Sequence, residues 1–226
     1  MSLEATHMIS YSNFQGNPYM GVYCSASNKH AFAPTCADDV LLNMLKESLS
    51  VEVVKLSIGG TTIIGSLIAM NSHGVMVSNI ASEEEMSMIP KELVVAKMQD
   101  DINATGNNIL VTDKAAMVHP GASRETLKTL SDVFQVEVVR GTIADISTVG
   151  SVALATGKGI ICHPRATEDN IATLKQLFSV PVTLATLNYG TPWLGACAVA
   201  NDRGAIVGEK TTPIEIGKLE DGLLLY

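Results

Sequence analysis

Apolar and polar positions recur along this chain in one order. After Gly106, Asn108 to Thr112 is a short β-branched and apolar run, Asp113-Lys114 is a polar pair, and Ala115 to Val118 is a second apolar run. Two such runs joined by a polar pair predict a β-hairpin. His119-Pro120 ends the second strand, because proline lacks the N–H that a ladder needs. Leu127, Leu130, Val133 and Phe134 then share one face at helical spacing, and Val136 to Val139 alternates as a third strand. The predicted unit is strand, strand, helix, strand.

The same order returns elsewhere. Ser151 to Ala155, the turn Gly157-Lys158-Gly159, Ile160 to Cys162 and His163-Pro164 repeat the hairpin. Thr167 is the predicted N-cap of a helix with Glu168 and Asp169 in its first turn, where the helix dipole favours acids. Ile171, Leu174, Leu177 and Phe178 form its apolar stripe, and Val180-Pro181-Val182 opens the third strand. An earlier copy has strands at Val22 to Ser25 and Val51 to Leu56, with a helix around Leu41, Met44 and Leu45. Another has Leu67 to Met70, Val75 to Val77, a capping box at Ser82 and Glu85 on a helix that Pro90 keeps short, and Leu93 to Met98. The last copy has Ala196 to Ala200, a turn at Asn201 to Gly204, Ala205 to Val207 and a weak helical stretch from Thr212, with no third strand behind it.

Gly21, Gly65, Gly106, Gly150 and Gly195 anchor the five copies at intervals of 44, 41, 44 and 45 residues. Third-strand starts at Val51, Leu93, Val136 and Val180 keep the same period. A period of this size marks a repeat architecture. One long helix per unit rules out HEAT-type repeats, and its presence rules out four-stranded propeller blades. The expectation is a single α/β domain over 8–226, a closed ring of five ββαβ units at about 21–64, 65–105, 106–149, 150–194 and 195–226. The stretch 8–20 is expected to supply the missing strand, because closure hides open sheet edges. Met1 to His7 match nothing in the repeats, so they read as an added leader.

Composition narrows the function. The formal net charge is -8, with 23 acidic against 15 basic residues. Nucleic-acid binders need clustered Lys and Arg, so DNA is not an expected partner. Acidity suits solubility or a basic protein partner. Cys24, Cys36, Cys162 and Cys197 make no C-x-x-C pair and no zinc spacing, usage that suits a reducing cytosol. The most apolar window, Leu56 to Met70, is too short to span a bilayer, and no secretory signal is visible.

Asp145 to Ser151 (D-I-S-T-V-G-S), the V-H-P and C-H-P strand ends, Thr105-Gly106-Asn107 and Ala196 to Gly208 (A-C-A-V-A-N-D-R-G-A-I-V-G) together resemble archaeal and eukaryotic translation initiation factor 6. The resemblance runs from about Met8 to Tyr226. It implies the pentein fold, a fivefold pseudosymmetric α/β propeller. It also implies a non-enzymatic cytoplasmic factor, a monomer without cofactor, that binds the large ribosomal subunit and blocks premature joining of the small one. Its main contact would be a basic ribosomal protein near the sarcin–ricin loop, with a role in large-subunit biogenesis. Gly106 and Asn107 match the family's G-N segment on the ribosome-contacting face, although Asn after Gly also serves turns. Asn17, Ser66, Ser151 and Asn188 are further candidates by position. The arginines that eukaryotic members carry near Ser66 and Thr62 are missing, so no charged contact is carried over there, and the chain ends without their tail, so it looks archaeal.

The competing reading is a pentein hydrolase acting on guanidino compounds, with Cys197 as nucleophile. Cys197 is expected in mid-strand without the positive neighbour that would lower its pKa. His119 and His163 read as strand ends. Asp100-Asp101 and Glu83 to Glu85 read as a solvated loop and a helix start. Gly157-Lys158-Gly159 is a hairpin turn, not a phosphate loop, so no cofactor or metal is expected.

Overall fold

Each of the five units opens with one turn of helix, whose last one or two residues hydrophobic patterning assigns to the first strand. A computed structural model describes residues 8–226, and the leader reading of Met1 to His7 lies outside them. The turns are α1 (Met20–Tyr23), α3 (Ile64–Leu67), α5 (Thr105–Asn108), α7 (Val149–Val152) and α9 (Leu194–Cys197). Each holds its anchor glycine, and Cys197 is therefore the last residue of α9 and not a mid-strand position. The physical cause lies between units. A side chain built on any anchor glycine would collide with the backbone carbonyl of the anchor glycine before it in the ring, Gly21 against Gly195 included. Only a glycine in a tight turn lets those backbones meet.

After each turn come two antiparallel strands, a longer helix and a third strand. The hairpins are β2 (Ser25–Ala26) with β3 (His30–Pro34), β5 (Ile68–Met70) with β6 (Gly74–Val77), β8 (Ile109–Val111) with β9 (Ala115–Val118), β11 (Ala153–Ala155) with β12 (Ile160–Cys162), and β14 (Ala198–Ala200) with β15 (Ala205–Gly208). The longer helices are α2 (Asp39–Leu49), α4 (Glu83–Ser87), α6 (Arg124–Phe134), α8 (Glu168–Phe178) and α10 (Pro213–Leu223). Their N-caps Asp38, Ser82, Ser123, Thr167 and Thr212 each accept a bond from the N3 amide, with full capping boxes at Ser82, Thr167 and Thr212. The stretch from Thr212, weakly patterned in sequence, is thus a full eleven-residue helix.

Third strands β4 (Glu52–Leu56), β7 (Val94–Lys97), β10 (Glu137–Arg140) and β13 (Val182–Leu184) pair in parallel with the second strand of their own unit. The fifth unit obtains its third strand from the other end of the chain. β1 (Ile9–Ser12) runs parallel to β15, with Ile9 opposite Ala205 and Ser12 opposite Gly208. Five three-stranded sheets result, each of the same order.

The first strands and the one-turn helices touch cyclically, and α1 meets both α3 and α9. They enclose a small axial cavity of about 100 Å³ lined by the anchor glycines and by the first strands. Every core cluster spans two units: Phe32 packs with Leu56, Ile64 and Val75, while Val199 and Ile206 of the last unit pack with Leu41 and Leu45 of the first. With few aromatics, Phe32, Phe134 and Phe178 are the largest fully buried side chains.

Candidate functional site

Sheet register sorts the side chains onto two ends of the ring. Ile68 pairs with Val77 and Val77 with Lys97, so the one-turn helices, the N-termini of the longer helices and the ends of the third strands share one end. The hairpin turns occupy the other. Helix starts carry Asp39, Glu83, Glu84, Glu85, Glu125, Glu168, Asp169 and Glu215, so the glycine end collects much of the chain's negative charge. Glu83 to Glu85 are a helix start as expected, and Asp100 accepts the Ser123 amide at 2.7 Å.

Four of the five junctions at this end are tight turns with left-handed residues. They are closed by the bridges Phe14–Asn17, Ile58–Thr61, Ile143–Ile146 and Leu187–Thr191. Side chains at the third helical position hold three of them, while Asn13 accepts the Gly16 amide at 2.8 Å in the first. The Glu85 carboxylate accepts from the amides of Gly59, Gly60 and Ser82 and from the Ser57 hydroxyl, all at 2.8–2.9 Å. Burial alone would raise the Glu85 carboxyl. Those four donors outweigh it and bring the pKa from 4.5 down to about 2. Glu215 does the same for Tyr189 and Gly190, and Asn170 for Ala144.

The fifth junction differs. Between β7 and α5 the described residues form no such bridge, and Asn108 instead donates to the carbonyls of Ile102 (3.1 Å) and Ala104 (3.0 Å). Asn107 lies between Gly106 and Asn108. It is half-buried, and among the described residues its side chain makes no hydrogen bond. Gly106 serves the glycine ring. Ser66 and Ser151 occupy the places of Asn107 on neighbouring turns, but both are buried, and the Ser151 hydroxyl is spent on the Thr148 carbonyl at 2.7 Å. Asn17 and Asn188 lie apart from these, together lining an open groove of about 400 Å³ at the ring closure. Asn188 is buried and fully used, donating to the Pro18 carbonyl at 2.9 Å and accepting from Thr211 at 3.2 Å. Asn17 bonds Tyr23 and the Tyr19 amide. Of the six candidates, Asn107 alone combines access with unspent hydrogen-bonding capacity.

Hydrophobic patterning missed three exposed apolar residues at this end, Tyr189, Trp193 and Ile214. The available signal was Asn188-Tyr189-Gly190, a turn sequence with an aromatic in its middle.

The histidines are structural. Nδ1 of His119 accepts the Gly121 amide at 2.9 Å, and Nδ1 of His163 accepts the Arg165 amide at 3.0 Å, each closing the turn after its strand. Burial and then the Arg165 charge lower the pKa of His163. Gly157-Lys158-Gly159 joins β11 to β12 as a turn. Among the described residues no three His, Cys, Asp or Glu side chains form a metal-binding set, and no helix is long and apolar enough to cross a membrane.

Cys197 is fully buried, and burial chiefly, with the Glu215 charge, pushes its thiol up to about 12 despite a bond from Asn188. Burial likewise pushes Cys24 and Cys162 up to about 12, whereas Cys36 is exposed. Mass-spectrometric mapping after brief alkylation of the native protein at neutral pH is therefore expected to find Cys36 alone modified. Rapid modification of Cys197 would reopen a nucleophilic role.

Five αββαβ units in a closed ring, with an acidic, turn-rich face at one end, define the class of protein. The chain belongs to the eIF-6 family, whose model matches residues 9–222. It is 46% identical to the translation initiation factor 6 of Halorubrum lacusprofundi, over 94% of this chain and 97% of that one. It is 37% identical to those of Picrophilus torridus and Methanocella arvoryzae, over 96% of this chain and 100% and 98% of theirs. Relatives so named are translation factors and not enzymes, which sets the chain in protein biosynthesis.

Proposed function

We propose that this protein binds the large ribosomal subunit through the glycine end of its ring and prevents premature association with the small subunit. A role in large-subunit biogenesis follows from the same binding. The ring itself is read as a pentein propeller, a single domain over 8–226, acting in the cytoplasm as a monomer. Its chief contact is a basic ribosomal protein near the sarcin–ricin loop. The observation that carries the reading is the break in fivefold symmetry at Asn107, a half-buried carboxamide with no hydrogen-bond partner among the described residues, on an acidic face. Opposite potentials speed such an encounter and fix its orientation, and an acidic surface discourages indiscriminate RNA binding.

Asn107→Arg is the direct test. A long cation at this position displaces the carboxamide, and co-sedimentation with purified large subunits is expected to weaken at least about tenfold, the scale of one lost central contact. Exclusion of small subunits should fall in parallel. Failure of the unaltered protein to co-sediment would sink the reading, and full binding by the variant would move the contact away from Asn107.

A further inference from the structure

We infer that Tyr189, flanked by Trp193 and Ile214, is the apolar anchor on which a basic polypeptide segment of the large-subunit partner seats. The inference rests on the reading above and adds to it a place and a chemistry. Tyr189 lies at φ 63° and is 83% exposed. At the same step of the other three bridged turns stand Gly16, Gly60 and Asp145, all at positive φ. Glycine and aspartate tolerate this backbone region, whereas a bulky aromatic there is strained. Burial of the side chain does not compensate, because Tyr189 is left in solvent.

Ile214 departs from three of its four copies. It is the second residue of α10 and 78% exposed, while α4, α6 and α8 carry Glu84, Glu125 and Asp169 at that step, where a carboxylate favours the helix dipole, and α2 carries the exposed Val40. Trp193 precedes α9 and is 42% exposed; Tyr19, Ile63, Ala104 and Thr148 precede α1, α3, α5 and α7, so it is the largest side chain at this step. The Glu215 carboxylate accepts the Tyr189 amide at 3.1 Å, which joins the 188–190 turn to the start of α10 next to Ile214. Tyr189, which breaks a local rule without gaining burial, is drawn together at one junction with two further exposed apolar side chains. Such departures mark function more often than folding.

Charge selects the occupant. The patch lies on the acidic end of a chain of net charge -8, beside the groove of Asn17 and Asn188 in which Lys210 is the cation. RNA phosphates and a second copy of this chain would both be repelled there, whereas a Lys- and Arg-rich polypeptide would be drawn in. Tyr and Trp are the side chains that anchor such interfaces most effectively.

Tyr189→Gly tests the anchor cleanly, because glycine suits the left-handed position and its Tm is expected to equal or exceed that of the unaltered protein. Its Kd for purified large subunits should rise at least about tenfold, and further when Ile214→Glu and Trp193→Thr are added. Unchanged affinity of the triple variant, alongside normal binding by the unaltered protein, would overturn the anchor and leave the ribosome-binding reading standing. No binding by the unaltered protein would remove both. A loss reproduced on protein-stripped ribosomal RNA would assign the patch to RNA stacking, and an oligomer dissolved by Tyr189→Gly would assign it to a second copy; either result overturns the inference.

Discussion

Gly195→Ala is expected to destabilise the protein by about 4 kcal/mol or more, at the extreme of single substitutions. The added methyl would land on the Gly150 carbonyl and within 2.8 Å of the Ala153 carbonyl oxygen. Both obstacles are backbone, so no rotamer change relieves the clash. Separating α9 from α7 by the required amount would also strain the other contacts of a closed ring, since α1 meets α9 and α3 at once. Gly217→Ala is the matching control. Gly217 lies inside α10 with open space where its side chain would go, and there alanine should stabilise by about 0.5–1 kcal/mol. Urea unfolding midpoints of the two variants should move in opposite directions. A near-normal midpoint for Gly195→Ala would show that the units are not closed by their glycines.

Asn201→Ala is expected to cost about 4 kcal/mol for a different reason. Asn201 is buried in the turn between β14 and β15, and its amide donates across the ring closure to the carbonyls of Ser27 (3.1 Å) and Leu49 (2.8 Å). Its carbonyl oxygen accepts the amides of Arg203 (2.9 Å) and Gly204 (3.2 Å) of its own turn. Four hydrogen bonds disappear together, at about 1 kcal/mol each. Asn71 plays the same part between the second and third units, donating to Thr112 and Phe134. The first, third and fourth units have Ser27, Thr112 and Thr156 at this step, whose hydroxyls accept turn amides. Asn201→Thr should therefore keep the turn, lose only the bonds between units and cost about half as much. Equal losses from the two substitutions, read from unfolding midpoints, would place the whole effect in the bonds between units.

The repeat was legible because each unit carries the same punctuation. His119-Pro120 and His163-Pro164 end strands, Ser82 and Thr167 cap helices, and Val136 to Val139 alternates, all of which are local consequences of backbone chemistry. What local patterning misread was the start of each unit. Asn108 and Val152 look like strand residues beside their apolar neighbours, yet both complete a turn of helix. The interaction that decides this is the approach of one glycine to the carbonyl of another some 44 residues away, which no short window contains.

The candidate site divides along the same line. Gly106-Asn107 could be singled out from its wording, but Ser66, Ser151 and Asn188 look equivalent to Asn107 until burial and hydrogen bonding separate them. Tyr189 went unremarked because an exposed aromatic in a turn becomes anomalous only when its φ and its counterparts in the other units are known. Sequence by itself determined the number of units, the order of the three strands and the longer helix within them, the buried stripes of the longer helices and the acidic balance, since each depends on residues close together in the chain. The tertiary structure alone decided the parallel register of β1 against β15, that the glycines meet around an axis, that Cys197 is buried, and that Asn107 and Tyr189 face outward. Those outcomes depend on distances between residues remote in sequence, and packing is what sets them.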